Sequence, residues 1–258
     1  MAACDERLSW LTGFTGSAGF ACVLEDIAGV FIDGRYRLQV LDQVADVFIP
    51  VHWPETQLQD WLIIKAQPGA VIGFDPWLHT VSQIKTLQDA LTASGITLRA
   101  CPNGVNAIWR DRPGPPLTAA WSHPESLSGE AAVNKARRIG ADITALGADA
   151  AVITLPDSLC WLLNIRGSDV PRTPIVQGFA ILSSSGAIAL FGDPAKFDSL
   201  EFSENVTLMG WDAFEAYLSN FKDRMLIDPA SLPQAALQAL EQGAVKILRG
   251  TDPCALPK

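Results

Sequence analysis

Two short blocks place a carboxylate and a guanidinium within three residues of each other around a glycine: Asp33-Gly34-Arg35-Tyr36 and Arg166-Gly167-Ser168-Asp169. Such a pair can brace its own loop or cap a helix through a charge-assisted hydrogen bond. It can equally face a partner domain or a charged substrate, because arginine's planar fork matches a carboxylate. Arg166 and Asp169 are accordingly the candidate substrate or interdomain contacts. A third block, WLTGFTGSAGF from Trp10 to Phe20, surrounds Ser17 with Gly13, Gly16 and Gly19. A nucleophile turn would need Gly-x-Ser-x-Gly, but Thr15 stands two before the serine. A phosphate loop would need a lysine, and the block has none. The remaining reading is a Trp-Leu pair docked on a core, followed by glycines that permit positive φ or close backbone approach.

No catalytic residue and no metal ligand is expected in this chain. Its three histidines, His52, His79 and His123, are well separated and form no H-x-x-H or H-E-x-x-H. The five cysteines are scattered, without a C-x-x-C, and read as reduced thiols. With 19 Lys and Arg against 28 Asp and Glu, the net charge is −9, which argues against a nucleic-acid partner. No run reaches the ~20 apolar residues of a membrane span. The opening MAACDERLSW has no apolar signal core. A cytoplasmic location is expected, with no membrane partner.

The elements that must hold these blocks occur twice. Leu8 to Ser17 aligns with Leu159 to Ser168 at a constant offset of 151, and Gly73-Phe74-Asp75-Pro76 aligns with Leu226-Ile227-Asp228-Pro229 at an offset of 153. Two echoes in the same order imply a duplicated unit. Trp10, Gly16, Asp33, Arg35, Trp161 and Gly167 therefore read as structural motif positions. The expected fold class is α/β, two tandem duplicated domains, each a mixed sheet covered by helices. The first spans 1–108, a proline-rich linker 109–128 and the second 129–258. Trp109 and Trp121 are expected to pin the linker.

In the first domain, strands are expected at 21–25, 30–33, 47–51, 70–74 and 96–99, with helices at 35–44, 55–65 and 81–93. In the second, a helix over 129–146 has Ser128 as N-cap. Strands follow at 150–154, 178–183, 187–191, 206–209, 224–227 and 245–248, with helices at 211–220 and 232–242. The second domain has a helix and a strand before its Trp-Leu segment, whereas the first reaches Trp10 directly. The first is thus expected to lack an opening helix and strand of about 25 to 30 residues, leaving an unpaired sheet position.

These blocks in this order, LSWLTGFTGSAG, FIDGRY, the linker I-W-x-D-R-P-x-x-P from Ile108 to Pro116 and CWLLNIRGSDVPRTPI, resemble the N-terminal region of the Xaa-Pro aminopeptidases (aminopeptidase P), in the creatinase/prolidase group. The resemblance implies two creatinase-type N-terminal domains, incomplete at the start of the first. They would form a non-catalytic portion that shapes substrate access and contributes to a homodimer. It implies a further C-terminal catalytic domain, a hydrolase of the metallopeptidase type that holds dinuclear manganese and cleaves before proline in proline-containing peptides. No cofactor is expected in this chain, which alone should be inactive. The alternative is a stand-alone protein or peptide interaction module without catalysis.

Overall fold

The segment Ala28–Ile32 reads Ala-Gly-Val-Phe-Ile, with no apolar-polar alternation, and all five residues are buried. A strand of that composition needs cover on both faces and belongs inside a sheet. The computed structural model, which describes Met1–Lys258, places it there. The chain forms two compact units, the first Met1–Asp75 with Ile84–Pro115, the second Pro76–Gln83 with Pro116–Lys258.

The first unit runs α1 (Arg7–Thr12), β1 (Gly19–Val23), β2 (Ala28–Ile32), α2 (Gln39–Gln43), β3 (Phe48–His52), α3 (Leu58–Lys65) and β4 (Val71–Phe74). It continues, from Ile84, with α4 (Val81–Leu91), then β5 (Thr97–Ala100) and α5 (Gly104–Ile108). β2 pairs antiparallel with β1 and parallel with β3, while β4 and β5 form a separate parallel pair. One core joins the two sheets: Phe31, Val51, Trp61, Leu62, Leu91 and Ile96 are buried together, with Phe20, Ile72 and Leu98 packed against them.

The second unit adds β6 (Trp121–Ser122), α6 (Glu125–Ser128), α7 (Ala132–Ala145), β7 (Ala150–Ile153), α8 (Pro156–Leu163) and β8 (Ile165–Arg166). Then come β9 (Phe179–Ser183), β10 (Ile188–Phe191), β11 (Val206–Met209), α9 (Ala213–Asn220), β12 (Arg224–Ile227), α10 (Gln234–Gln242) and β13 (Lys246–Arg249). Six strands make one sheet in the order β11-β10-β9-β7-β12-β13. Helix α7 buries Lys135, Ala136, Ile139, Gly140 and Ile143, the i, i+3/i+4 spacing of a core-facing stripe.

The two units share one plan, as the repeated blocks require. β9 pairs antiparallel with β10, and β10 parallel with β11, as β1, β2 and β3 do. The parallel pair β12 and β13 matches β4 and β5. Asp75 and Asp228 keep their equivalence. Asp75 accepts from Asn103 Nδ2 at 2.9 Å, and Asp228 from the Asp252 backbone N–H at 2.9 Å. Asn103 and Asp252 in turn each accept from the N–H two residues on.

Some local expectations give way. The helix expected over 35–44 is a 3-10 turn, Gly34–Tyr36, followed by the short α2. The Asp33 carboxylate takes the Arg35 N–H, closing a side-chain turn that competes with the helical ladder. Ser128 does not cap α7. It ends α6, Gly129 follows at φ 75°, and Ala131 holds the N-cap position without a side-chain bond. The proline-rich stretch divides between the units: Trp109 is buried and stacks on Trp10 in the first, with centroids 5.3 Å apart. In the second, Trp121 opens the β6 pairing with Arg166, but its side chain is exposed.

Candidate functional site

Each glycine-rich block begins where a short helix ends. α1 stops at Gly13 with φ 81° and α8 at Asn164 with φ 51°, so both C-caps are left-handed. A Cβ at Gly13 would also sit 2.6 Å from the Gln43 carbonyl oxygen, so any side chain there would force the backbone to shift. Three residues further on, Gly16 and Gly167 are again equivalent. A Cβ would stand 2.2 Å from the Phe14 ring at one and 2.6 Å from Val176 at the other.

In the first unit the block folds over the start of α2. The Ser17 and Tyr36 hydroxyls are 2.6 Å apart, Ser17 N–H donates to the same phenol at 3.1 Å, and Phe14 meets the Tyr36 ring edge-on. The two Ser17 hydrogen bonds lower the phenol's pKa. Ser17 thus has a phenol as partner, with no imidazole or carboxylate to activate it. Arg35 forks onto Asp33, Nε and Nη2 reaching Oδ2 at 3.0 and 2.5 Å, and its guanidinium lies 5.1 Å from the Tyr36 ring centroid. The hydrogen bond from Arg35 holds the Asp33 carboxyl below its ordinary pKa. Asp33 and Arg35 brace their own turn.

The second block separates its two charges. Arg166 is partly exposed and donates to the carbonyls of Cys160 at 3.2 Å and Ile165 at 2.8 Å. Asp169 is 3% exposed; its Oδ2 accepts from Lys196 Nζ and from Gln177 N–H at 2.6 Å. Of the two readings of this block, a local Arg166–Asp169 brace is not formed: Asp169 instead makes a buried ion pair with Lys196, both side chains almost wholly enclosed. Asp169 is therefore committed inside its unit, and of the two candidates only Arg166 reaches solvent.

Two lysines that sequence reasoning passed over organise this region. Lys135, 1% exposed, lies 4.5 Å from the Trp161 ring centroid and donates to Trp161 O at 2.9 Å and Asn164 Oδ1 at 2.7 Å. Burial lowers its pKa. Its signal was legible, since it occupies a core-facing position of an amphipathic helix. Lys196 carries no comparable signal, because the turn that buries it, Pro194–Lys196, joins the core only in the folded unit.

Nowhere do three or more His, Cys, Asp or Glu side chains gather in a group that could hold a metal ion. The residues present do not fit a dinuclear manganese site. No helix is long and apolar enough to cross a membrane.

A tandem pair of mixed α/β domains on one repeated plan, with blocks that serve as caps and braces, defines the class. The chain belongs to the creatinase/prolidase N-terminal domain family, whose sequence models match residues 4–108 and again 111–258. Its relatives carry the name Xaa-Pro aminopeptidase. A probable Xaa-Pro aminopeptidase P of Coccidioides posadasii is 33% identical over 201 residues, covering 76% of this chain and 33% of the relative. Aminopeptidase P2 of Arabidopsis thaliana is 29% identical over 266 residues, covering 98% of this chain and 37% of that protein. The chain thus spans about a third of the length of the curated relatives it matches. The crystal structure of X-prolyl aminopeptidase from Caenorhabditis elegans, described as a cytosolic enzyme with a di-nuclear active site, superposes with a TM-score of 0.88 at 26% identity. The match covers 98% of this chain and 44% of that one.

Proposed function

We propose that this chain is the non-catalytic N-terminal portion of a cytoplasmic Xaa-Pro aminopeptidase, a metallopeptidase that releases the residue preceding proline. Its two domains shape the approach of proline-containing peptides to a catalytic domain that holds the dinuclear metal, manganese by family resemblance, and contribute to a homodimer. The carrying observation is the match to the nematode enzyme, which covers nearly all of this chain but under half of its counterpart. The absence of any convergent metal-ligand group from both units is compatible with chemistry housed elsewhere. Arg166 is the residue offered to the catalytic domain or to a substrate carboxylate, being partly exposed and positioned by two backbone carbonyls.

The test is the gene together with an assay. The coding region is expected to continue past Lys258 into a segment with two Asp, one His and two Glu as metal ligands. Residues 1–258 alone, dialysed and supplied with manganese, should not cleave an Xaa-Pro peptide. A stop codon directly after Lys258, or proline-dependent cleavage by the purified chain, overturns the reading.

A further inference from the structure

Only two residues other than glycine hold a positive φ, Asn164 at 51° and Arg172 at 64°. Asn164 is accounted for: asparagine tolerates this region, and its side chain is bonded to Lys135 and to the Glu130 carbonyl. Arg172 has neither reason. It is exposed, and no hydrogen bond, ion pair or ring contact ties its side chain to the rest of the chain. Arg138, Arg166 and Arg224 of the same unit all donate to protein acceptors.

The turn that holds it is tight. Thr173 N–H donates to the Val170 carbonyl at 3.1 Å, with Pro171 and Arg172 between them. Proline fixes a negative φ at the second position, and the positive φ that follows makes this a type II turn, whose third position favours glycine. Pro174 stiffens the far side. Below the tip both arms of the loop are pinned: Asp169 N–H donates to the Ile175 carbonyl at 3.3 Å, and the Asp169 carboxylate accepts from Gln177 N–H and from Lys196. Residues 171–174 are exposed while Asp169 and Val176 are buried, so a rigid stem carries an arginine at its apex.

We infer that Arg172 is a specificity residue that takes the C-terminal carboxylate of the peptide substrate, an inference that rests on the aminopeptidase reading. Glycine would fit the turn without strain, so stability alone does not account for arginine here. An unpaired guanidinium offers a carboxylate two parallel N–H donors. In a chain of net charge −9 it also gives an anionic peptide a local attraction. Rigid presentation matters most for a freely diffusing ligand, whose affinity is reduced by every group ordered on binding. A covalently linked domain meets its neighbour at high effective concentration and has less need of it.

The full-length protein is assayed on Xaa-Pro peptides of increasing length, each as the free acid and as the C-terminal amide. For at least one length the wild-type KM for the acid should lie at least about tenfold below that for the amide. In Arg172→Gly the two should converge, the change falling on KM rather than kcat. Arg172→Lys, which keeps the charge but not the fork, should restore part of the preference. Residues 1–258 carrying Arg172→Gly should melt no lower than the parent chain, since glycine adopts this φ freely. An acid preference absent at every length, or kept in Arg172→Gly, overturns the inference and leaves the aminopeptidase reading intact. So does an equal loss on acids and amides, which would assign Arg172 to the catalytic domain, or a lower melting temperature, which would make it a brace of its own unit. No proline-dependent cleavage by the full-length wild type overturns that reading, and this inference with it.

Discussion

Lys196 and Asp169 form a charge pair that water barely reaches, with side chains 3% and 0% exposed. Removing one partner of such a pair strands the other in a medium that solvates it poorly. Lys196→Met should therefore lower stability by about 3–5 kcal/mol in urea denaturation, and adding Asp169→Leu should recover most of that loss. An unchanged midpoint for the single variant would show that the pair contributes little. Asp149 gives a residue-scale test in acid. Hydrogen bonds from Arg224 lower its carboxyl from 3.8 to about 2. The folded pKa lies below the unfolded one, so this contribution is fully present above pH 3.8 and fades as pH falls towards 2. An NMR titration should place the midpoint near 2, and Arg224→Ala should return it towards 3.8. A wild-type midpoint near 3.8 would remove Arg224 as the cause.

The paired helices α1 and α8 end alike in backbone but differ in chemistry. Gly13 reaches the left-handed region without a side chain, and the Gln43 carbonyl occupies the space a Cβ would need. Gly13→Ala should destabilise by more than ~1 kcal/mol, from the strained φ plus the clash. At Asn164 the same turn is held by a side chain that accepts from Lys135 and donates to the Glu130 carbonyl at 2.8 Å. Asn164→Gly relieves the φ strain yet leaves a buried ammonium short of an acceptor. A net loss of about 1–3 kcal/mol is expected by thermal or chemical denaturation. A stabilised Asn164→Gly variant would mean that backbone strain, not the hydrogen bonds, dominates this cap.

Across the whole molecule the two copies of one plan differ in closure. The second unit's main sheet holds six strands and leaves two edges, whereas the first unit's corresponding five strands are split into two sheets that leave four. Unpaired edges and half-exposed strands lower the free energy of local opening. With rising urea, the amides of β1 to β5 should lose exchange protection before those of β7, β9, β10 and β12. Simultaneous loss in both units would indicate that they unfold as one cooperative block.

Periodicity and repetition carried the mixed-sheet class, the duplication and the order of the longer elements, because strands such as β2 and β10 are apolar runs and the Trp-Leu blocks recur at one offset, whereas the short α5, β6, α6 and β8 had no such signal. The resemblance to the aminopeptidase P N-terminal region was carried by the same blocks. Local chemistry also announced the Asp33–Arg35 brace, since its partners lie two residues apart and no folding is needed to bring them together. The partner of Asp169 was another matter. Arg166 is three residues away in sequence, but Lys196 is the cation that arrives when the turn after β10 closes over the core, 27 residues on. Burial, too, belongs to the tertiary structure: Lys196 is enclosed only once its turn packs on the core, and β1 and β4 look like their second-unit counterparts in sequence. The repeat comparison implied an unpaired sheet position in the first unit, but only the sheet order assigns it to the outer edges of β1 and β4, because strand pairing is a contact between distant segments that no local pattern encodes.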